Sequence, residues 1–337
     1  MYTLHVYQHG SLRQLTNLEA ISSYIQEDDL TLWLDLEAPD ETEVALLHEE
    51  FGFHPLAIED AVRHHERPKV DAYPGSYLII VYAASYRGER TGHDDNNGAS
   101  KTALPDPQID LRQLAIFAGK NFIVTIHQHP IVEVSTTLAR WTTPNVQLNL
   151  SVAALLHALL DAIVDDYFTL MDQIVDWVEE LEDTIFSRFR EGAIAEIFAI
   201  KKDLLLLRRV VTPERDVLNV LLRQEVPIFQ GNSIVYLQDV YDHLVRVTDT
   251  IDTYRDLLSS ALDSYLSLQS NQLNQLIKTL TLSSIILMSC SLIAGIYGMN
   301  FHYMPELTWP LGYLFALGMM LTVGLGLVLV FRSRKWW

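Results

Sequence analysis

The sequence predicts an α+β membrane protein: a cytoplasmic N-terminal α/β domain, a long helical stalk, and two C-terminal transmembrane helices. Three observations carry this expectation. Charged residues almost vanish from Leu276 to Ile296, where Lys278 is the exception, and again from Leu311 to Phe331. Each run is about 21 residues, which at ~1.5 Å per residue covers a hydrocarbon core of ~30 Å. Gly and Pro are absent from Ser233 to Ala294, which predicts one helix on the order of 90 Å long. The first part of the chain, to about Arg140, instead alternates strand-like and helix-like stretches. Two buried core helices would have the same composition as the apolar runs, but the few residues after the second leave little with which to cover it.

The leading part is read as an α/β domain over residues 1–145. Leu32 to Leu36, Tyr77 to Ala83, Leu111 to Ala118 and Phe122 to Ile126 are rich in aromatic and β-branched residues and read as strands. Asp40 to Glu50 and His54 to Val62 read as short helices, opened by a capping residue and an early Pro. Residues 88–107, with Asp94-Asp95-Asn96-Asn97-Gly98 and then Pro105 and Pro107, read as a polar loop.

A helical segment follows over residues 146–232. Ser151 to Arg190 has no Pro or Gly; Ile194 to Arg209 comes next, and Pro213 marks a helix start or a kink. Gly231-Asn232-Ser233 opens the long helix, expected over 233–296 as a stalk that continues into the first membrane span. Along it Val240, Leu244, Val247, Ile251, Tyr254, Leu258, Ala261, Tyr265 and Leu268 alternate by four and three, a heptad seam that must pack against other helices. Residues 297–310 form a loop, 311–331 the second span and 332–337 a basic tail.

The N-terminus has neither a basic nor an apolar leader segment, so the large leading part is expected in the cytoplasm. The single cysteine, Cys290, excludes an intrachain disulfide and suits that compartment. The loop from Tyr297 to Pro310 has no Lys or Arg, whereas the tail carries Arg332, Arg334 and Lys335. The positive-inside rule then places both termini in the cytoplasm of a multi-pass protein of the cell (inner) membrane, with the loop outside. Trp309, Trp336 and Trp337 fall at the interfaces. A formal net charge of −19 argues against a nucleic-acid partner and suits a protein that handles cations, as it also suits mere solubility.

The first span is more than an anchor. Read by threes and fours, Asn274, Ile277, Thr281, Ser284, Met288, Ser291 and Gly295 set small or polar residues on one face. Such a stripe faces protein or water. Helix packing and an aqueous path explain it equally well on pattern alone. Two helices cannot enclose a path, so the second reading requires an oligomer. Next comes Tyr297-Gly298-Met299-Asn300-Phe301, then Met304-Pro305-Glu306-Leu307. A helix C-cap is the plain explanation. The functional one is a ring of Asn300 amide oxygens that holds a hydrated hard cation such as Mg2+ by its waters. Glu306 would enrich cations at the entrance.

Tyr-Gly-Met-Asn-Phe followed by Met-Pro-Glu-Leu between two C-terminal spans resembles the CorA family of magnesium transporters. Asp161 to Phe168, Asp239-Val240-Tyr241-Asp242-His243 and His65 to Val70 also resemble family segments, so the likeness covers most of the chain. It implies a homopentameric funnel with Gly298, Met299 and Asn300 as the selectivity filter. The matching pore positions are Asn274, Ile277, Leu280, Thr281, Ser284, Met288 and Ser291, with Ile277, Leu280 and Met288 forming a hydrophobic gate. The zinc-transporting branch has a Gly-rich stretch where this chain has Met-Pro-Glu-Leu.

Asp242, Asp249, Asp256 and Asp263 recur every seventh residue of the stalk, with Asp239 and Asp252 beside them and only Arg246 and Arg255 opposed. A solvated acidic face explains this plainly. The resemblance implies instead a regulatory divalent-cation site between protomers at Asp239 and His243, with Asp242 close by. Bound Mg2+ would hold the stalks closed, and its loss would open the gate. The family's partner Asp is replaced near Arg87, and Asp94 or Asp95 could substitute. His127 with His129, and His64 with His65, have no carboxylate or Cys cluster around them and do not read as zinc sites. The acidic helix with Asp161, Asp165, Asp166, Asp172 and Asp176 reads as a solvated face that could attract cations loosely.

No phosphate-binding loop of an ATP-driven pump is present, and no enzyme constellation or organic cofactor is expected. The partners expected are copies of the chain itself, the lipid bilayer and divalent cations. The leading expectation is a gated channel for Mg2+, with Co2+ or Ni2+, driven by membrane potential. Zn2+ transport and a non-conducting membrane-tethered cation sensor are the alternatives.

Overall fold

The computed structural model describes residues 1–8, 11–15, 21–27, 29–63, 67–87, 108–142, 151–187, 192–223, 233–299, 302, 304–305 and 309–334. The chain divides into two units, Met1–Ser260 and Ala261–Trp337. In the first, seven strands form one sheet: β1 (Tyr2–Gln8), β2 (Ser11–Leu15), β3 (Leu30–Glu37), β4 (Lys69–Tyr73), β5 (Ser76–Tyr86), β6 (Ile109–Gly119) and β7 (Phe122–His127). Their order is β2-β1-β3-β7-β6-β5-β4. Among the described residues only β3 and β7 run parallel, with Trp33 opposite Ile123 and Asp35 opposite Thr125.

The helices are α1 (Ile21–Ile25), α2 (Glu41–Glu49), α3 (Pro55–Val62), α4 (Val132–Thr142), α5 (Val152–Ser187), α6 (Ala193–Arg223), α7 (Ser233–Tyr297) and α8 (Gly312–Ser333). Local chemistry starts the short ones. Asp40 accepts from the Thr42 and Glu43 amides at 2.9 and 2.8 Å, while Glu43 accepts from the Asp40 amide at 3.1 Å, a reciprocal capping box. His54 Nδ1 accepts from the Leu56 amide at 3.2 Å ahead of α3, and Pro55 supplies a preset first helical residue.

The central strands are apolar on both faces because helices cover both. Phe117 and Phe122 meet Phe51 and Phe53 on the face beneath α2 and α3. Trp33 meets Trp141 of α4 on the other face, where α5 also packs. Residues that alternate along one half-covered strand would show period two. Full burial of Leu32, Trp33 and Leu34 in succession shows why β3 reads as a continuous apolar run.

One expectation needs correction: Pro213 does not start a helix, because α6 runs through it. Pro gives the Arg209 carbonyl no amide donor, yet burial of Pro213 with Val210, Val211 and Val217 keeps the element intact. Within one chain the heptad seam of α7 gains one position at its start, Leu237, and is covered as far as Tyr265. Leu237, Val240, Leu244, Val247, Ile251, Leu258, Ala261 and Tyr265 are buried, Tyr254 is half-buried and Leu268 is exposed.

Within the first unit α6 and α7 run antiparallel and are stapled by polar contacts one heptad apart. Arg208 Nε lies 2.8 Å from Asp252 Oδ1, and Lys201 Nζ donates to Ser259 Oγ at 2.8 Å. Arg255 also reaches Asp252, at 3.4 Å. Asp252 therefore leaves the free acidic face of the stalk.

Candidate functional site

In the second unit the end of α7 and α8 are, among the described residues, the two helices long and apolar enough to cross a membrane. Leu282, Ile285, Ile286, Ser289, Cys290 and Ile293 of α7 are buried or half-buried. On α8 the covered residues include Gly312, Ala316, Met319, Met320 and Gly324. A methyl carbon added to Gly324 would touch Ile286 Cγ2 at 4.0 Å, so small residues let the two backbones approach.

Asn274, Ile277, Leu280, Thr281, Ser284, Met288 and Ser291 are all exposed. At ~100° per residue, the centre of this stripe lies roughly 150° around α7 from the side that meets α8. Hydroxyls off the stripe are satisfied within the helix: Thr279, Ser283 and Ser289 donate to the carbonyls of Gln275, Thr279 and Ile285 at 3.0, 3.0 and 2.8 Å. That arrangement suits side chains directed at lipid or at a neighbouring helix.

Gly298 follows α7 and donates its amide to Ala294 at 2.9 Å, and the Met299 amide donates to Ile296 at 3.3 Å. A Cβ on Gly298 would stand 3.2 Å from the Ala294 carbonyl oxygen, so the turn favours glycine. Asn300 and Glu306 lie outside the described residues, as do Asp94, Asp95, His64 and His65.

A second constellation lies in the first unit. Asp161 and Asp165, one turn apart on α5, and His243 of α7 each offer a ligand atom within 4.8 Å of the others. Asp239 precedes His243 by one turn, with Oδ1 at 4.0 Å from Nε2. His243 Nδ1 is buried without a hydrogen-bond partner. Phe168 meets the ring edge-on at 5.5 Å, and Arg246 lies over Phe168. Partial burial pushes the Asp165 carboxyl up, Asp161 adds to it, and His243 opposes them. Crowded carboxylates beside an imidazole with an unused nitrogen fit a divalent cation; the nitrogen suits Co2+ or Ni2+, and the oxygens suit Mg2+ with its waters.

The structure thus brings Asp239 and His243 together and joins them to Asp161 and Asp165. Asp161 is half-buried and Asp165 exposed, in keeping with a solvated face that also attracts cations. Their spacing on one helix face was visible in the sequence, but nothing local ties α5 to α7. Asp242 stays apart: it accepts from Gln238 at 3.0 Å and lines an open groove with Asp249. At the position where a partner Asp was sought, Arg87 donates to Asp110 at 3.1 Å.

The His127 ring is fully engaged, with Nδ1 2.8 Å from the His129 carbonyl oxygen and Nε2 3.2 Å from Asp35. Thr125 donates to the same Asp35 oxygen and accepts from Trp33 Nε1 at 3.0 Å. This set braces the β3–β7 pair.

Residues 28–334 match the family model described as CorA-like Mg2+ transporter protein. The cobalt/magnesium transport protein CorA of Thermotoga maritima is 32% identical, over 95% of this chain and 87% of its own length. The complete structure of the CorA magnesium transporter from Methanocaldococcus jannaschii superposes with a TM-score of 0.82 and 24% identity, covering 100% of this chain and 99% of that one. It shares the fold. The zinc transport protein ZntB of Pectobacterium atrosepticum is more distant, at 24% identity over 70% of each chain.

Proposed function

The chain belongs to the CorA-like Mg2+ transporter family, and from that premise we propose that it conducts Mg2+ and Co2+ through a path lined by α7. The observation that carries this reading is the polar stripe of α7, turned away from α8 and followed at once by Gly298, Met299 and Asn300. One copy encloses nothing, so the path requires several copies with their stripes turned to a common axis, and a homopentamer meets that need. Gly298, Met299 and Asn300 then form the outer filter and Glu306 draws cations to it. Ile277, Leu280 and Met288, each more than half exposed in one chain, form the constriction that closes by dewetting. Asn274, Thr281, Ser284 and Ser291 offer hydration between these points.

Both termini face the cytoplasm in this reading, and the membrane potential drives uptake. A divalent ion moving inward gains about 4.6 kcal/mol per 100 mV, twice the ~2.3 kcal/mol of one charge. Asp161, Asp165, Asp239 and His243 would hold a regulatory cation and tie α5 to α7. Without it, crowded carboxylates repel across that seam, which favours opening.

The test is Mg2+, Co2+ and Zn2+ flux in proteoliposomes at fixed potential, comparing the natural protein with Asn300→Ala. Mg2+ and Co2+ flux lost in the variant is the expected result. Undiminished flux would remove the filter reading, Zn2+ flux alone would favour the zinc branch, and no flux in either form would leave a non-conducting sensor.

A further inference from the structure

Glu214 follows Pro213 in α6 and is almost wholly buried, at 3% exposure. Among the described residues no strand covers the piece of sheet edge where it stands. The β4–β5 pairing stops at Lys69 opposite Ile80, so Tyr82 of β5 lies beyond its strand neighbour. Side chains take that neighbour's place. The Tyr82 amide donates to Glu214 Oε1 at 2.7 Å, and the Tyr167 hydroxyl of α5 donates to the Tyr82 carbonyl. Tyr167 Oη is also 3.0 and 2.9 Å from Glu214 Oε1 and Oε2.

Counting protons decides the charge state. An ionised Glu214 would set its own oxygens and the Tyr82 carbonyl in competition for the one Tyr167 proton. A neutral Glu214 closes the set: its O–H donates to Tyr167 Oη, Tyr167 donates to the Tyr82 carbonyl, and the Tyr82 amide donates to Oε1. Burial pushes Glu214 up to about 8, against the pull of the Tyr82 amide and Tyr167, and among the described residues no cation acts on it. Glu133 of α4 acts on Tyr167. From α7 the described residues that reach the small void beside Glu214 are the apolar Val240 and Leu244, and apolar side chains of β5, α5 and α6 complete it. Its volume is about 10 Å³, room for one water at most. A carboxylate there cannot be hydrated unless a wall moves, and the wall without a polar tie to Glu214 is α7.

We propose that Glu214 is a proton-operated latch for α7: protonated, it lets Val240 and Leu244 seat against α5 and α6, and on losing its proton it draws water into that seam and loosens α7. The seating is independent of what α7 conducts. An effect on ion flux rests on the transport reading above.

The test uses the full chain in lipid nanodiscs without an ion gradient. Infrared spectra report buried protonated carboxyls, and hydrogen exchange, corrected for its intrinsic pH dependence, reports protection of residues 237–251. Expected is a carboxyl band absent from Glu214→Gln and Glu214→Leu and lost from the natural protein as pH rises from about 6.5 to about 9.5. Protection should fall about tenfold over that range in the natural protein and stay level in both variants. A band unchanged by the substitutions, or a fall in protection that persists in them, overturns the latch. Should one variant misfold, the other, together with the natural protein's own titration, decides. Because no flux is measured, failure here leaves the transport reading standing, and loss of that reading leaves the latch.

Discussion

Arg208 grips Asp252 with two nitrogens, Nε on Oδ1 at 2.8 Å and Nη2 on Oδ2 at 3.3 Å, and so joins α6 to α7 in register. Both side chains are more than a third exposed, which limits the pair to about 0.5–1 kcal/mol. A double-mutant cycle of Arg208→Ala and Asp252→Asn should give a coupling of that size in chemical unfolding. Additive single effects would show that the fork restrains geometry without stabilising it.

Asp161→Asn, Asp165→Asn and His243→Ala should each weaken divalent-cation stabilisation of the protein. The midpoint concentration for thermal protection should rise at least about tenfold, a loss that outer-shell changes alone already cause at metal sites. His243→Ala should harm Co2+ more than Mg2+, because only the softer ion gains from a nitrogen ligand. Equal losses for both ions would argue that the imidazole is outside the cation's reach.

His127 provides a pH signature of its own. Burial lowers its affinity for a proton, but the Asp35 hydrogen bond and charge outweigh that and leave its pKa raised above 6.5. A histidine raised in the folded state contributes stability in full below 6.5 and loses it as pH climbs through the raised value. Asp35→Asn should therefore cost most stability on the acid side, with the deficit against the natural protein shrinking as pH rises. A deficit independent of pH, followed by urea unfolding, would assign the loss to the Thr125 bond alone.

Gly324 tests the helix pair. An added methyl meets Ile286 at ordinary contact distance, 4.0 Å, so Gly324→Ala should leave detergent melting unchanged. Gly324→Leu should destabilise by about 1–3 kcal/mol through overpacking. Indifference to leucine would mean that the two helices slide freely.

Much of this was legible beforehand for physical reasons. The apolar runs that became α8 and the end of α7, and the doubly covered strands β3, β5, β6 and β7, announce themselves by composition. The edge strands did not. Ser11–Leu15 leaves three of its five residues exposed, and Lys69–Tyr73 is five residues with no fully buried one; their strand character comes from a neighbour, not from their own pattern. The stripe of α7 was visible as spacing, but which side meets α8 depends on packing. Asp161 with Asp165, and Asp239 with His243, are each same-face pairs in the sequence; their meeting depends on how α5 lies against α7. Glu214 carried no sequence signal, because its state depends on where β4 stops.

The single parallel pairing in the sheet has a consequence for biosynthesis. Leu32, Trp33 and Leu34 wait for Phe122, Ile123 and Val124, so β3 keeps one bare, greasy edge while the ribosome adds everything between them. Such an edge invites association with other nascent chains. Chaperone demand should therefore be greatest before His127 has emerged, well ahead of the segments that need the insertion machinery.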